Sequence, residues 1–167
     1  MKKLLLILLL MPFLNVAQNN FKKIEQNESI NTIIVDSKML ELMSNIDMNT
    51  NNTDSKEYQK LIKSITDLKV FIDEEGKHKT EMINAFQSYI SKNNLKEKKV
   101  KNNNVICYTK AISNSSKFSE FLLFTENINK QNENVILFIK GNFELKQVDL
   151  LIKKMKIPGI KQFSNFQ

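Results

Sequence analysis

His78 is the single histidine of the sequence, and it follows an acidic turn in the segment DEEGKHKTE. An imidazole beside carboxylates could act as a general base or hold a metal ion, and Asp73, Glu74 and Glu75 could together bind calcium. However, catalytic zinc sites combine several strong ligands, and these acids lack the alternating spacing of a calcium loop. The pattern therefore favours a solvated turn at the start of a helix. We expect no catalytic residue, no bound metal and no cofactor.

A lone glycine, Gly141, separates a strand-like run from a helix-like run in NVILFIKGNFELKQV. Such a turn can bind phosphate, but phosphate loops need several glycines so that the backbone can approach the ligand closely. Glu144 and Gln147 instead have the spacing of a capping box, in which the two side chains bind backbone groups at the start of a helix. We predict a structural corner at Gly141, Glu144 and Gln147.

The sequence around two further groups of potential nucleophiles also indicates structural roles. Cys107 alternates with Val105 in a strand-like run, so we expect a buried free thiol, whereas a reactive thiol would need a neighbouring base or helix terminus. The segment SNSSK contains serines and Lys117, but it lacks the sharp turn that exposes a serine nucleophile. A polar hairpin turn explains this segment better than a hydrolytic site.

The densest charge of the chain is the run KEKKVK, which contains Lys96, Lys98, Lys99 and Lys101. Lysines on an edge strand discourage pairing with other chains, and this is the favoured interpretation. The alternative is contact with an anionic partner, namely a lipid headgroup surface, an acidic glycan or an acidic protein. Nucleic acid is not expected, because the sequence contains no arginine and no aromatic residue interrupts the run.

The N-terminus has the pattern of a secretory signal peptide. Lys2 and Lys3 precede an apolar run that ends at Leu14, and Ala17 is a suitable cleavage residue. The run is shorter than the roughly 20 residues that span a bilayer. No cysteine lies near the cleavage point, so no lipid can be attached there. We therefore expect an exported protein, periplasmic or secreted and not lipid-anchored.

Composition indicates one globular domain. The 167 residues are 41% hydrophobic and include only three glycines and two prolines. The formal net charge is +7, and it falls to about +5 when Lys2 and Lys3 are removed with the leader. We divide the chain into a signal peptide (1–17), a lead-in (18–30), a single α+β domain (31–157) and a C-terminal tail (158–167).

Hydrophobic periodicity predicts the element order β, α, α, β, α, β, β, β, α. The segment SINTIIVDSK is read as the first strand, and Met39, Leu40, Leu42 and Met43 recur at helical spacing directly after it. Consecutive strands with short connections pair antiparallel. We therefore expect an α+β fold with a mainly antiparallel sheet of about five strands and helices largely on one face. The last strands are apolar on both sides, which predicts a central position in the sheet.

Three segments resemble the domain-of-unknown-function family 4252: VDSKMLELM, LIKSITDLKVFI and, above all, VILFIKGNFELKQVDLLIKKM. The resemblance implies a small exported protein of Bacteroidota, and an association with genes of extracytoplasmic-type sigma factors points to envelope signalling. Ile139, Gly141, Leu145 and Gln147 follow the family pattern, whereas a lipobox cysteine is missing. The family brings no established activity.

Three function classes stay open at this point. The leading hypothesis is a non-catalytic envelope protein that binds a protein partner, with an exposed apolar patch as its signature. A binder of a lipid or another apolar ligand would need an apolar cavity on the order of several hundred Å³. A hydrolase would need a cleft that joins His78 to carboxylates. An anionic membrane surface is the weaker partner hypothesis, and the oligomeric state is not indicated.

Overall fold

The computed structural model describes residues 21–45, 53–99, 104–126, 132–157 and 160. The elements are α1 (Lys22–Glu25), β1 (Asn31–Val35), α2 (Ser37–Asn45), α3 (Thr53–Ser64), β2 (Ile65–Asp73), α4 (Lys79–Asn93), β3 (Lys96–Lys98), β4 (Val105–Ala111), β5 (Phe118–Glu126), β6 (Asn134–Phe143) and α5 (Leu145–Met155). The structure has the predicted order of elements, with the short α1 and β3 in addition. The predicted signal peptide and most of the predicted tail lie outside the described residues.

The strands form one antiparallel sheet in the order β1-β2-β6-β5-β4-β3. It has six strands where about five were expected, because the three residues Lys96–Lys98 add an edge strand. Strand β6 lies between β2 and β5, as its apolar character on both sides predicts. The chain is therefore α+β with an open antiparallel sheet, whose two edges are β1 and β3.

Alternate side chains of the strands enter two cores, one on each face of the sheet. The face of the sheet that presents Leu68 and Leu137 is called the first face. It is covered by α2, α3 and α5. The second face presents Phe71 and Ile136, and it is covered by α1 and α4. Three of the five described helices thus share one face. The second layer is needed because the central strands are apolar on both sides, and both sides must leave water.

The segment before β1 takes part in the second core. Phe21, Ile24 and Ile30 are buried there, although they fall in the stretch expected to be a lead-in. The ring of Phe21 stacks on Tyr89 of α4, with 5.0 Å between the ring centroids, and it also contacts Phe71 at 5.3 Å. Residues 21–30 therefore cover the sheet as part of the domain.

The structure places Gly141 at the point where β6 passes closest to the start of β2. Gly141 is paired with Ile65, and a Cβ atom added to it would lie 2.7 Å from Ile65 Cα and closer still to the carbonyl oxygen of Ser64. Three residues further on, Glu144 begins α5 in an extended conformation, and its backbone N–H donates to Gln147 Oε1 at 2.8 Å. The corner thus requires a glycine for close backbone approach and a cap for the helix.

We expect Gly141→Ala to destabilise the protein by about 1–3 kcal/mol, because the new methyl group must push apart the backbones of β2 and β6. The matched control is Asn142→Ala, on the exposed neighbouring residue, which should change stability by less than about 0.5 kcal/mol. Urea unfolding followed by circular dichroism measures both. Equal stabilities of the two variants would contradict the close approach.

Candidate functional site

Polar residues gather at one end of the sheet, where β2 ends and β6 begins. Asp73 and Asn134 are partners in the β2–β6 register, and Asn134 is also the partner of Glu126 on β5. Asp73 is only 1% exposed, and its Oδ2 accepts hydrogen bonds from the backbone N–H of His78 at 2.9 Å and from Asn134 Nδ2 at 3.1 Å. Because His78 precedes α4, Asp73 satisfies a free N–H group and places negative charge at the positive end of the helix.

Asn27 and Glu81 contact the imidazole of His78. The amide of Asn27 is oriented by two other contacts, since its Oδ1 accepts from the N–H of Ser29 and its Nδ2 donates to Glu81 Oε2. The same Nδ2 lies 3.2 Å from His78 Nδ1, and Glu81 Oε2 lies 3.7 Å from this ring nitrogen. Nδ1 of His78 is therefore already in contact with two side chains of the protein.

The structure does bring His78 and the acidic turn together in a cleft of about 390 Å³. Its lining is Ser29, Asn31, Asp73, Glu74, Glu75, Lys77 and His78. Most of these groups bind one another: Asn31 Nδ2 donates to Glu74 Oε1 at 2.9 Å, and Lys77 is paired with Glu75. No group of three or more histidine, cysteine or acidic side chains in the described part of the chain is arranged to hold a metal ion. The cleft is polar and its groups are largely occupied by structural contacts.

Asp73→Ala should cost about 1–3 kcal/mol of stability, because it leaves the buried Asn134 amide and the His78 N–H without their acceptor. Glu75→Ala is the control, since Glu75 is exposed and its ion pair with Lys77 lies at the surface. Thermal melts monitored by circular dichroism compare the two variants. An Asp73→Ala protein as stable as the Glu75→Ala protein would show that this carboxylate does not cap α4.

The lysine run lies on the β3 edge of the sheet. Lys96 and Lys98 belong to β3, where they pair with Thr109 and Cys107 of β4, and Lys99 follows the strand. Lys96 and Lys99 are exposed, Lys98 is half-buried, and Lys101 lies outside the described residues. This placement agrees with the role of lysines that discourage pairing at an edge. Contact of these lysines with an anionic partner stays a prediction.

The segment SNSSK forms the turn between β4 and β5. The N–H of Ile112 donates to the carbonyl of Lys117 at 2.9 Å, and the N–H of Lys117 donates to Ser115 Oγ at 3.1 Å. These bonds close a polar hairpin connection, as the composition of the segment predicts. Within the described contacts, neither Ser115 nor Ser29 of the cleft forms a hydrogen bond with a histidine.

Cys107 is a buried thiol of the first core, with 1% of its surface exposed. Burial raises the pKa of the thiol from 9.0 to about 12, and the nearby Lys98 opposes this only in part. The thiolate is the nucleophilic form of cysteine, so Cys107 is unreactive at neutral pH.

The raised pKa predicts a loss of stability at alkaline pH. Below pH 9 the thiol is neutral in both states, whereas between pH 9 and about 12 it ionises only in the unfolded chain, so unfolding becomes more favourable. Relative to Cys107→Ala, the protein should lose up to roughly 4 kcal/mol over this range. Urea unfolding of both proteins at a series of pH values measures the difference. Parallel pH profiles would show that the thiol is not desolvated.

Four exposed apolar side chains that the periodicity does not predict lie on the edge strand β1 and on α2, the helix that follows it. These large hydrophobic residues have 41–63% of their surface exposed: Ile33, Ile34, Met39 and Leu42. We call them the β1–α2 surface. The buried residues of α2 are Leu40 and Ser44. The apolar stripe predicted from the sequence is therefore buried at Leu40 and exposed at Met39 and Leu42. Periodicity identifies an apolar stripe, but it does not show whether another element covers it.

The two isoleucines of this surface project from opposite faces of the sheet. Ile33 is paired with Val70, which belongs to the first core, and Ile34 is paired with Lys69. Ile33 therefore lies on the same side of the sheet as α2, which carries Met39 and Leu42. On the second face, Lys69 is the strand partner of Ile34, and its Nζ lies 2.7 Å from Glu25 Oε1. Ile33 and Ile34 therefore present apolar groups on both sides of the β1 edge.

The family model described as "Domain of unknown function (DUF4252)" matches residues 21–151. The chain belongs to this family. The match covers the sheet, the second core, most of the first core and most of α5, so the DUF4252 domain includes the Phe21 segment before β1. Comparison with curated proteins and with solved structures gives no match. In the part of the DUF4252 chain that the structure describes, no helix is long and apolar enough to cross a membrane.

Proposed function

We propose that the chain is an exported, non-catalytic envelope protein that binds a protein partner through the β1–α2 surface. The observation that carries this proposal is the contrast between the two edges of one sheet. The edge strand β3 has the sequence KEK, whereas the edge strand β1 has the sequence NTIIV and no charge. Charged residues protect an edge from pairing, and an uncharged apolar edge is a hazard unless a partner covers it.

The contacts of His78 support a non-catalytic role. A general base must reach a proton of the substrate, but Nδ1 of His78 is already in contact with Asn27 and Glu81. The buried carboxylate of Asp73 is occupied by the N–H of His78 and by Asn134. These contacts explain the cleft as the support for the start of α4.

An apolar-ligand function has less support. The described cleft of about 390 Å³ is lined by charged and polar side chains, whereas pockets for lipids are predominantly apolar. Export is supported by the leader pattern of residues 1–17, and the family resemblance adds the link to envelope signalling.

Site-specific photo-crosslinking in cells of the source organism tests the proposal. The photoreactive amino acid benzoylphenylalanine replaces Ile34 in one variant and Ile106 in the control; these residues are 43% and 45% exposed and lie near opposite edges of the sheet. We expect one discrete protein adduct in the envelope fraction from position 34 and none from position 106. The same adduct should form when His78→Ala is added.

Either of two results would contradict the proposal. Equal crosslinking from positions 34 and 106 would show that the β1–α2 surface has no special affinity for protein. Recovery of the chain with its leader intact and outside the envelope fraction would show that it is not exported. The intact mass of the recovered protein, which should begin at Gln18, decides the second point.

A further inference from the structure

We infer that the partner docks on β1 as an added β-strand, and that the docking segment is apolar and β-branched at its centre and flanked by lysine or arginine. The inference rests on the proposed function, because it specifies how a protein partner would occupy the β1–α2 surface. Three features of the described residues carry it: the open edge of β1, the apolar side chains on both of its faces, and the acidic residues around it.

The first feature is the unpaired edge. Strand β1 pairs with β2 along its whole length, from Asn31 with Ile72 to Val35 with Leu68. Within the described part of the chain, no strand pairs with its opposite side. An edge strand presents a row of backbone N–H and C=O groups on that side, and an extended segment can bind them as the next strand of the sheet.

The second feature is the chemistry of the two faces. Successive side chains of an added strand would alternate between the faces of the sheet. Those on the first face would meet Ile33 and lie on the side of Met39 and Leu42, and those on the second face would meet Ile34. Because both faces present apolar groups, the docking segment needs a continuous apolar centre, for which β-branched residues are the best suited.

The third feature is the charge around the edge. Between residues 26 and 45 the exposed charged residues are Glu28, Asp36, Lys38 and Glu41. Glu74 adds another exposed carboxylate, since its Oε1 accepts from Asn31 at the start of β1. In a chain with a formal charge of +7, this edge is therefore locally acidic.

The acidic surroundings select the occupant. Basic residues on both sides of the docking segment would be attracted to the carboxylates at the two ends of β1. A second copy of the chain would instead bring the same acidic residues to both sides of the new strand pair. Charge complementarity therefore favours a basic-flanked strand of a different protein over self-association.

Three synthetic peptides test the inference on the protein as recovered from cells. All contain a five-residue centre, Thr-Val-Ile-Val-Thr in two of them, with the central isoleucine replaced by proline in the third. The first and third peptides have two lysines at each end, and the second has two glutamates at each end. Binding is followed by NMR titration and by amide hydrogen exchange of residues 31–35.

We expect the lysine-flanked peptide to bind saturably and to slow exchange of alternate amides in β1 by about tenfold or more. Binding should weaken at high salt, because the flanking charges are exposed. The glutamate-flanked peptide should bind about tenfold more weakly, and the proline peptide should give no protection, since proline lacks the donor and breaks the ladder.

Variants of the protein locate the contact. Ile34→Lys should weaken binding of the lysine-flanked peptide by about tenfold or more, whereas Ile106→Lys, at matched exposure, should leave it unchanged. Glu28 is exposed and precedes β1, so Glu28→Lys changes the charge near the edge without placing a charge in the strand itself. It should shift preference toward the glutamate-flanked peptide.

Specific outcomes would overturn the inference. Strand addition at β1 would be excluded if the lysine-flanked peptide gave no amide protection at millimolar concentration. It would also be excluded if Ile34→Lys and Ile106→Lys weakened binding of this peptide equally. Light scattering that shows a dimer abolished by Ile34→Lys would identify a second copy as the occupant. A partner crosslinked at position 34 without any peptide protection would uphold the proposed function while rejecting strand addition. Peptide protection without a crosslinked partner would reject the proposed function and, with it, the inference about the partner, and would show only that the β1 edge can accept a strand.

Discussion

The burial of β6 on both faces is the constraint on which the rest of the structure depends. Residues from Val135 to Ile139 are all buried, and their side chains alternate between the two cores. One layer of helices would leave half of these groups in water, so the fold needs α1 and α4 as well as the layer of α2, α3 and α5. The close approach at Gly141 follows from the same packing, because β2 must lie against β6 along its full length.

The polar end of the sheet is the place where this apolar strand begins. Asn134 precedes the buried run, and its neighbour Asp73 supports the first turn of α4. Charged and polar groups therefore concentrate there, and they support the start of α4 beside the cleft that contains His78. The distinct chemistry of the molecule lies at its edges, where one strand is protected by lysines and the other exposes isoleucines.

Local patterns predicted much of the fold. The element order, the antiparallel sheet, the central position of β6 and the helix start at Glu144 each depend on residues that are close in sequence. The contact of Asn27 with His78 and the stacking of Phe21 on Tyr89 join distant segments, so no local pattern could reveal them. The exposure of Met39 and Leu42 was also not predictable, because a helical stripe has the same spacing whether or not the fold covers it.

The pairing of β2 with β6 also determines the order in which the sheet can assemble. Strands β4, β5 and β6 follow one another and can pair as soon as each has been made, whereas the side of β2 that does not face β1 must wait for β6, near the end of the chain. Closing so long a loop costs entropy before any contact is gained, and proteins with many distant contacts fold slowly. We therefore expect the hairpins to form early, and the two cores to close only after β6 near the end of the chain has been made.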